Sequence, residues 1–169
     1  MLFKKNTNKV RIIEDMTAYK VICFDFLGFS PEDGAFRLFR QWLKDTKIDI
    51  EAEGLKVFGY NHPNPADKSG FYGYRVCVTL NDSVLPFVGD HHIDTIEGGK
   101  YAVLSVTRQK DVSIGKSIMK SWTVLVKWLK SSPYQLSKRQ WLEEHMGFDK
   151  EYIHTGNVDL YMSIDSKEE

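Results

Sequence analysis

The sequence predicts an α+β fold built from two similar βαββ units, and three observations carry that expectation. A strand-like run followed by a helix and two further strands occurs once in each half. The tripeptide Trp-Leu-Lys falls near the end of each expected helix, at Trp42-Leu43-Lys44 and Trp128-Leu129-Lys130, and each half closes on an apolar strand. The expected organisation is one domain over residues 1–169, with repeats over about 10–82 and 93–165. Each unit has one helix and three strands, too little to cover both faces of its own sheet. Two units side by side leave a cleft between the helices, a good place for a ligand.

The elements follow in order. Tyr19 to Leu27 (YKVICFDFL) is rich in β-branched and aromatic residues over a strand's length and ends at Gly28. Ser30-Pro31-Glu32-Asp33 supplies a hydroxyl for an N-cap, a proline for the first helical position and acids for the first turn. Phe36, Phe39 and Leu43 then recur at helical spacing, so a helix from about Pro31 to Asp45 is expected. Leu55 to Tyr60 reads as a strand, and NHPNPADKSG, with two prolines and a glycine, reads as a loop. Tyr72 to Leu80 places Tyr74, Val76, Val78 and Leu80 on one strand face.

In the second half, Thr95 to Thr107 is expected as a strand opened by a glycine pair. Ser113 to Ser131 carries Ile118, Trp122, Leu125 and Leu129 at helical spacing and reads as the stronger of the two helices, with Pro133 beyond it as a stop. Gln140 to Met146 and Val158 to Ile164 are both strand-like. Only the first nine residues and about the last five read as solvated tails.

Composition excludes several classes. Lys+Arg 23 against Asp+Glu 23 leaves no net charge, which removes the long-range field of a non-specific nucleic-acid binder. The flanks of the repeats are too short for a helix-turn-helix, so direct regulation of transcription by this chain is disfavoured. The longest apolar run near the N-terminus is Val21 to Phe24, neither a signal-peptide core nor a membrane span, so a cytoplasmic protein without membrane contact is expected. Cys23 and Cys77 lie in apolar alternations and read as buried free thiols. His62 and the adjacent His91 and His92 lack a third ligand at useful spacing, so neither metal nor cofactor is expected. Oligomeric state, a homodimer included, is left open.

Several segments resemble the GyrI-like small-molecule-binding domains, which also occur as effector domains of multidrug-responsive regulators of the AraC and MerR types. They are FGYNHPNP and YGYRVCV in the first half, then IEGGKYAVLSV, SWTVLVKWLKSSPYQL, QWLEEHMG and VDLYMSI, which span most of residues 19–164. The resemblance implies a pseudo-twofold pair of βαββ units of SH2-like motif, an antiparallel sheet with two main helices, and a ligand cleft between the repeats. The chain departs from relatives at Ser163, where a proline is common, and at Arg75, where an acidic residue is. Alternation puts Arg75 on the face opposite Tyr74.

Strand alternation in Trp141-Leu142-Glu143-Glu144-His145 sets Trp141, Glu143 and His145 on one face, with Leu142, Glu144 and Met146 on the other. A carboxylate beside aromatic walls is costly unless it takes up a proton or meets a cation. The aromatic side chains available as walls are Phe24, Phe26, Tyr60, Tyr72, Tyr74, Trp122, Trp141 and Tyr161. The resemblance points to Glu143 as the charge-recognising group, with Glu144 in its place if the register differs by one. The ligand-binding set expected is Glu143, Trp141, His145, Tyr74, Tyr60, Trp122 and Phe26.

The leading expectation is a protein that senses or sequesters an amphipathic, cationic or aromatic small molecule. Some GyrI-like proteins hydrolyse cyclopropane-bearing electrophiles, and the resemblance therefore implies an alternative. There Glu143 would act as general base, and Tyr161 or Tyr134 would donate to the substrate oxygen. A third class, a protein-directed inhibitor of gyrase, is disfavoured because the chain lacks an acidic, DNA-like charge excess.

Overall fold

The computed structural model describes residues 9–168. The expected N-terminal tail, apart from Lys9, and Glu169 lie outside them. The elements are β1 (Arg11–Met16), β2 (Tyr19–Phe29), α1 (Pro31–Thr46), β3 (Val57–Asn61), β4 (Phe71–Thr79), a 3-10 turn (Leu85–Phe87), β5 (His92–Ile96), β6 (Gly99–Val106), α2 (Ile114–Lys130), β7 (Tyr134–Leu136), β8 (Leu142–His145) and β9 (Val158–Ser166).

The strands form one antiparallel sheet in the order β1-β6-β9-β8-β3-β4-β2-β5, with β7 pairing the far end of β9. In the order β6-β9-β8, β3-β4-β2, the second triplet mirrors the first, so the β8–β3 pair lies on the pseudo-twofold axis and the duplication is visible in the topology. Three strands depart from the sequence expectation: the short β7, and two that complete this symmetry by exchange, β1, which precedes the first unit and pairs β6 of the second, and β5, which precedes the second unit and pairs β2 of the first. The strand expected over Thr95 to Thr107 is therefore two strands, broken at Glu97-Gly98, one for each half.

Both helices lie on one face of the sheet. Under α1, Phe39, Trp42 and Leu43 pack against Ile22 and Phe24 of β2, Val57 of β3 and Tyr74, Val76 and Val78 of β4. Under α2, Leu125 meets Ala102 and Leu104 of β6 and Leu160, Met162 and Ile164 of β9. A third apolar cluster, with Val21, Cys23, Phe58, Cys77, Tyr101, Val103, Leu142 and Tyr161, occupies the opposite face. Both cysteines are free and buried, directly opposite each other on β2 and β4.

The helix starts differ from expectation in one respect. Ser113 caps α2 by accepting from the Lys116 backbone N–H. Ser30 instead adopts a left-handed conformation at φ 47° and makes no side-chain cap, so Pro31 and the acids Glu32 and Asp33 alone mark the start of α1. No helix among the described residues is long and apolar enough to cross a membrane.

Candidate functional site

On the helix-bearing face, α1 and α2 are separated by a cleft of about 690 Å³ whose floor is the axial strand pair and its neighbour β4. Register fixes that floor. Glu143 of β8 stands opposite Gly59 of β3 and Leu160 of β9, and His145 opposite Val57 and Val158, so both side chains share the face of the helix-covered core. Glu144 alternates away. It accepts from the Tyr161 hydroxyl and pairs with Lys56 at 3.2 Å on the opposite face.

Gly59 opens the middle of this floor. A Cβ there would stand 2.1 Å from the Tyr74 hydroxyl, so only glycine lets the Tyr74 ring cross β3 and reach His145 Nε2, at 3.2 Å. The walls follow from helical periodicity. From α1 come Glu32, Asp33, Phe36 and Arg40; from α2 come Ile114, Ile118, Met119 and Trp122; Tyr152, Ile153 and His154 of the β8–β9 loop close one end. Phe36 stands edge-on to His145 at 4.8 Å, and Trp122 stacks on Trp141 at 5.2 Å.

The cleft carries three carboxyl groups, Glu32, Asp33 and Glu143, against one guanidinium, Arg40. Glu143 is half-buried and, among the described residues, no side chain pairs with it. Burial, with the charge of Glu32 adding to it, pushes its carboxyl up to about 7. His145 is buried, and desolvation holds its imidazole down to about 3, so it is neutral at physiological pH and supplies no counter-charge. The Glu32 carboxylate accepts from the Tyr72 hydroxyl at the same cleft.

Of the residues singled out from sequence, the cleft brings together Glu143, His145, Tyr72, Tyr74 and Trp122, with Trp141 stacked behind Trp122. Five others lie elsewhere. Phe24 is buried in the core under α1 against Phe39 and Trp42. Phe26 is tucked under the first turns of α1, where a Cβ at Gly34 would stand 2.3 Å from its ring. Tyr60 alternates to the opposite face and packs against that face's apolar cluster, at the edge of a neighbouring depression it shares with Trp141 and Glu143. Tyr161 lies on the same opposite face, hydrogen-bonded to Glu144. Tyr134 stacks on Trp128 at 6.0 Å beside the α2 core. Neither tyrosine assigned to the hydrolytic alternative therefore adjoins Glu143. The carboxylate Glu32 and the ring Phe36 were missed as site residues. Their spacing of four on a helix face, from the first turn, is the signal that marks them in the sequence.

Arg75 does not reach the cleft. It is buried on the opposite face between Asp25 at 2.6 Å and Asp94 at 2.7 Å. His91 packs on Phe24 at 4.5 Å, and among the described residues no three His, Cys, Asp or Glu side chains are grouped to hold a metal ion.

Comparison with known proteins fits this architecture. The C-terminal domain of EcmrR superposes with a TM-score of 0.64 at 11% identity, covering 94% of this chain and 99% of that one. SAV2435, solved bound to tetraphenylphosphonium, gives a TM-score of 0.51 at 11% identity, covering 93% of each chain. A hydrolase from Listeria innocua gives 0.53 at 10% identity, covering 96% of this chain and 94% of that one. At such identities these likenesses establish the fold alone. No curated protein matches the sequence significantly. Residues 13–164 match Cass2, the integron-associated effector binding proteins, and the chain belongs to that family.

Proposed function

We propose that this protein binds amphipathic aromatic cations in the cleft between its helices, and so senses or sequesters such compounds. The observation that carries the reading is Glu143, a carboxylate without a protein partner among the rings of Tyr74, Phe36 and Trp122. Such a carboxylate is held partly protonated by its surroundings, and a cation restores the favourable state of its charged form. Aromatic faces add about 0.5 to 2 kcal/mol each for a cation over the ring. Membership of an effector-binding family supports small-molecule binding, and the tetraphenylphosphonium complex of a protein of the same fold supports the cationic choice.

The test is tryptophan quenching by tetraphenylphosphonium against neutral triphenylphosphine oxide, in the wild type and in Glu143→Gln. The reading expects the cation to bind more tightly, and Glu143→Gln to cost it at least about tenfold while leaving the neutral compound unaffected. Equal affinities, or a variant without effect, would overturn it.

A hydrolytic reading of the same cleft is favoured by one observation: a carboxyl with a pKa of about 7 suits a general base at neutral pH. With Tyr134 and Tyr161 distant, the tyrosines that line the cleft are Tyr72, Tyr74 and Tyr152. Incubation with a cyclopropane-bearing electrophile, followed by mass spectrometry, separates the two readings. Intact compound supports binding alone; a water adduct formed with turnover and lost in Glu143→Gln supports hydrolysis.

A further inference from the structure

The acidic, aromatic cleft leads into a second depression of opposite character. Glu32, Phe36, Arg40 and Lys44 follow at steps of four along α1 and form a single stripe on that helix, which passes from carboxylate to ring to guanidinium to ammonium. Arg40 lines the cleft and also lines an adjoining groove of about 560 Å³ whose other charged residues are Arg37, Lys44, Lys150 and Glu151. Tyr152 and Ile153 line both as well, so the two spaces meet across an apolar sill.

Four cations against one carboxylate is a local excess in a chain whose net charge is zero. Elsewhere the protein pairs its half-buried and buried cations: Arg75 with two aspartates, Lys100 with Glu14, Arg139 with Asp165. Arg40 is half-buried, yet among the described residues neither it nor Lys44 nor Lys150 forms an ion pair or a side-chain hydrogen bond. The helix dipole accounts for a cation such as Lys44 in the last turn of α1. It does not account for Arg40 further up the helix, or for Lys150, which comes from the β8–β9 loop.

We propose that the ligand suited to this protein is a zwitterion: a cationic head at Glu143 and Glu32, an apolar body along Phe36 and the Tyr152–Ile153 sill, and a carboxylate, sulfonate or phosphate at Arg40 and Lys44. At 1.5 Å of rise per residue, the helix sets the separation of the two charges at about 12 Å for Arg40 and about 18 Å for Lys44, measured from Glu32. This rests on the cation-binding reading above and specifies what the other end of the ligand carries.

The experiment uses two probes with the same trimethylammonium head and biphenyl body, one ending in a methyl group and the other in a sulfonate on an arm of equal length. Both are titrated by calorimetry against the wild type, Arg40→Gln/Lys44→Gln, and Lys150→Gln, with circular dichroism to verify that each variant is folded. The sulfonate is expected to raise wild-type affinity about tenfold. That gain is expected to vanish in Arg40→Gln/Lys44→Gln and to shrink in Lys150→Gln, while the methyl-ended probe binds Lys150→Gln as it binds the wild type; because Arg40 also lines the cleft, the double variant is read by its ratio of sulfonate to methyl affinity. Lys150→Gln stands as an independent test should the double variant not fold. A methyl-ended probe that binds normally while the sulfonate adds nothing, or adds as much in the variants, overturns the zwitterion and leaves the cation reading standing. Failure of both probes to bind the wild type overturns both.

Discussion

The two halves share a topology but use their helices differently. In the first half, α1 buries Ala35, Phe39, Trp42 and Leu43 against its strands; in the second, Leu125 alone of α2 is buried, and Met119 is 73% exposed. From the sequence, α2 reads as the stronger helix, with Ile118, Trp122, Leu125 and Leu129 at helical spacing. Periodicity reports which face of a helix is apolar, not what that face meets. Part of the α2 stripe, Ile114, Ile118 and Trp122, packs against the β6–β9 core on one side and lines the cleft on the other, so its burial is only partial. A duplicated fold thus has one helix that holds the structure together and one that furnishes an apolar wall.

The sharpest way to break this contrast is truncation. Phe39→Ala empties a fully buried site and is expected to cost about 3 to 5 kcal/mol by urea denaturation. Met119→Ala is expected to change stability by less than about 0.5 kcal/mol yet to weaken cation binding. Comparable losses of stability at the two positions would show that α2 is as structural as α1.

Gly59→Ala comes next. The new Cβ must displace the Tyr74 hydroxyl from His145, and a cost of about 1 to 3 kcal/mol is expected, together with weaker ligand binding. Tyr74→Leu in the Gly59→Ala background, which removes both the hydroxyl and the ring that the new Cβ meets, is expected to recover part of the stability; no recovery would locate the clash elsewhere.

A smaller effect separates Glu143 from His145 by pH. The Glu143 carboxyl is raised from 4.5 to about 7, so the folded chain holds a proton that the unfolded chain has lost, and stability falls as pH rises from about 4.5 through 7. His145, depressed from 6.5 to about 3, works the other way: the unfolded chain takes up the proton, and stability is lost as pH falls below about 6.5. The two slopes oppose each other between these limits. Glu143→Gln removes one of them, so the variant is expected to exceed the wild type by about 1 to 2 kcal/mol at pH 8 and to match it at pH 4. A difference independent of pH would mean that the carboxyl is not shifted.

Much of the fold is legible in the sequence because period-two and helical spacings are local signals. The pairs Tyr74 with Val76 and Trp122 with Leu125 report their elements directly. The strands β1 and β5 are not legible in the same way. Each is short, at an edge of the sheet, and pairs with the opposite half, so its partner lies about eighty residues away or across the repeat boundary. At the site, alternation separates Glu143 from Glu144 and groups it with Trp141 and His145. It cannot tell which tyrosines join them, because that depends on which side of β3, β4 and β9 faces the helices. Tyr60 and Tyr161 stand on the far side of their strands, one residue out of phase with Gly59 and Leu160. Phe26 has the right phase and is hidden by the close approach of α1 at Gly34, a tertiary contact that no local pattern reports.

If Glu143 is the group that recognises the cation, binding must expel its proton. Tetraphenylphosphonium carries no proton of its own, so any proton expelled on binding comes from the protein or its buffer shell. Calorimetry at pH 6 in two buffers of different ionisation enthalpy measures that number. A carboxyl with a pKa of about 7 is largely protonated at pH 6, and a bound cation forces it to ionise. The account predicts release of about 0.9 proton per cation by the wild type, none by Glu143→Gln, and a release that fades above pH 8. Tight binding without proton release at pH 6, or the same release from Glu143→Gln, would contradict it.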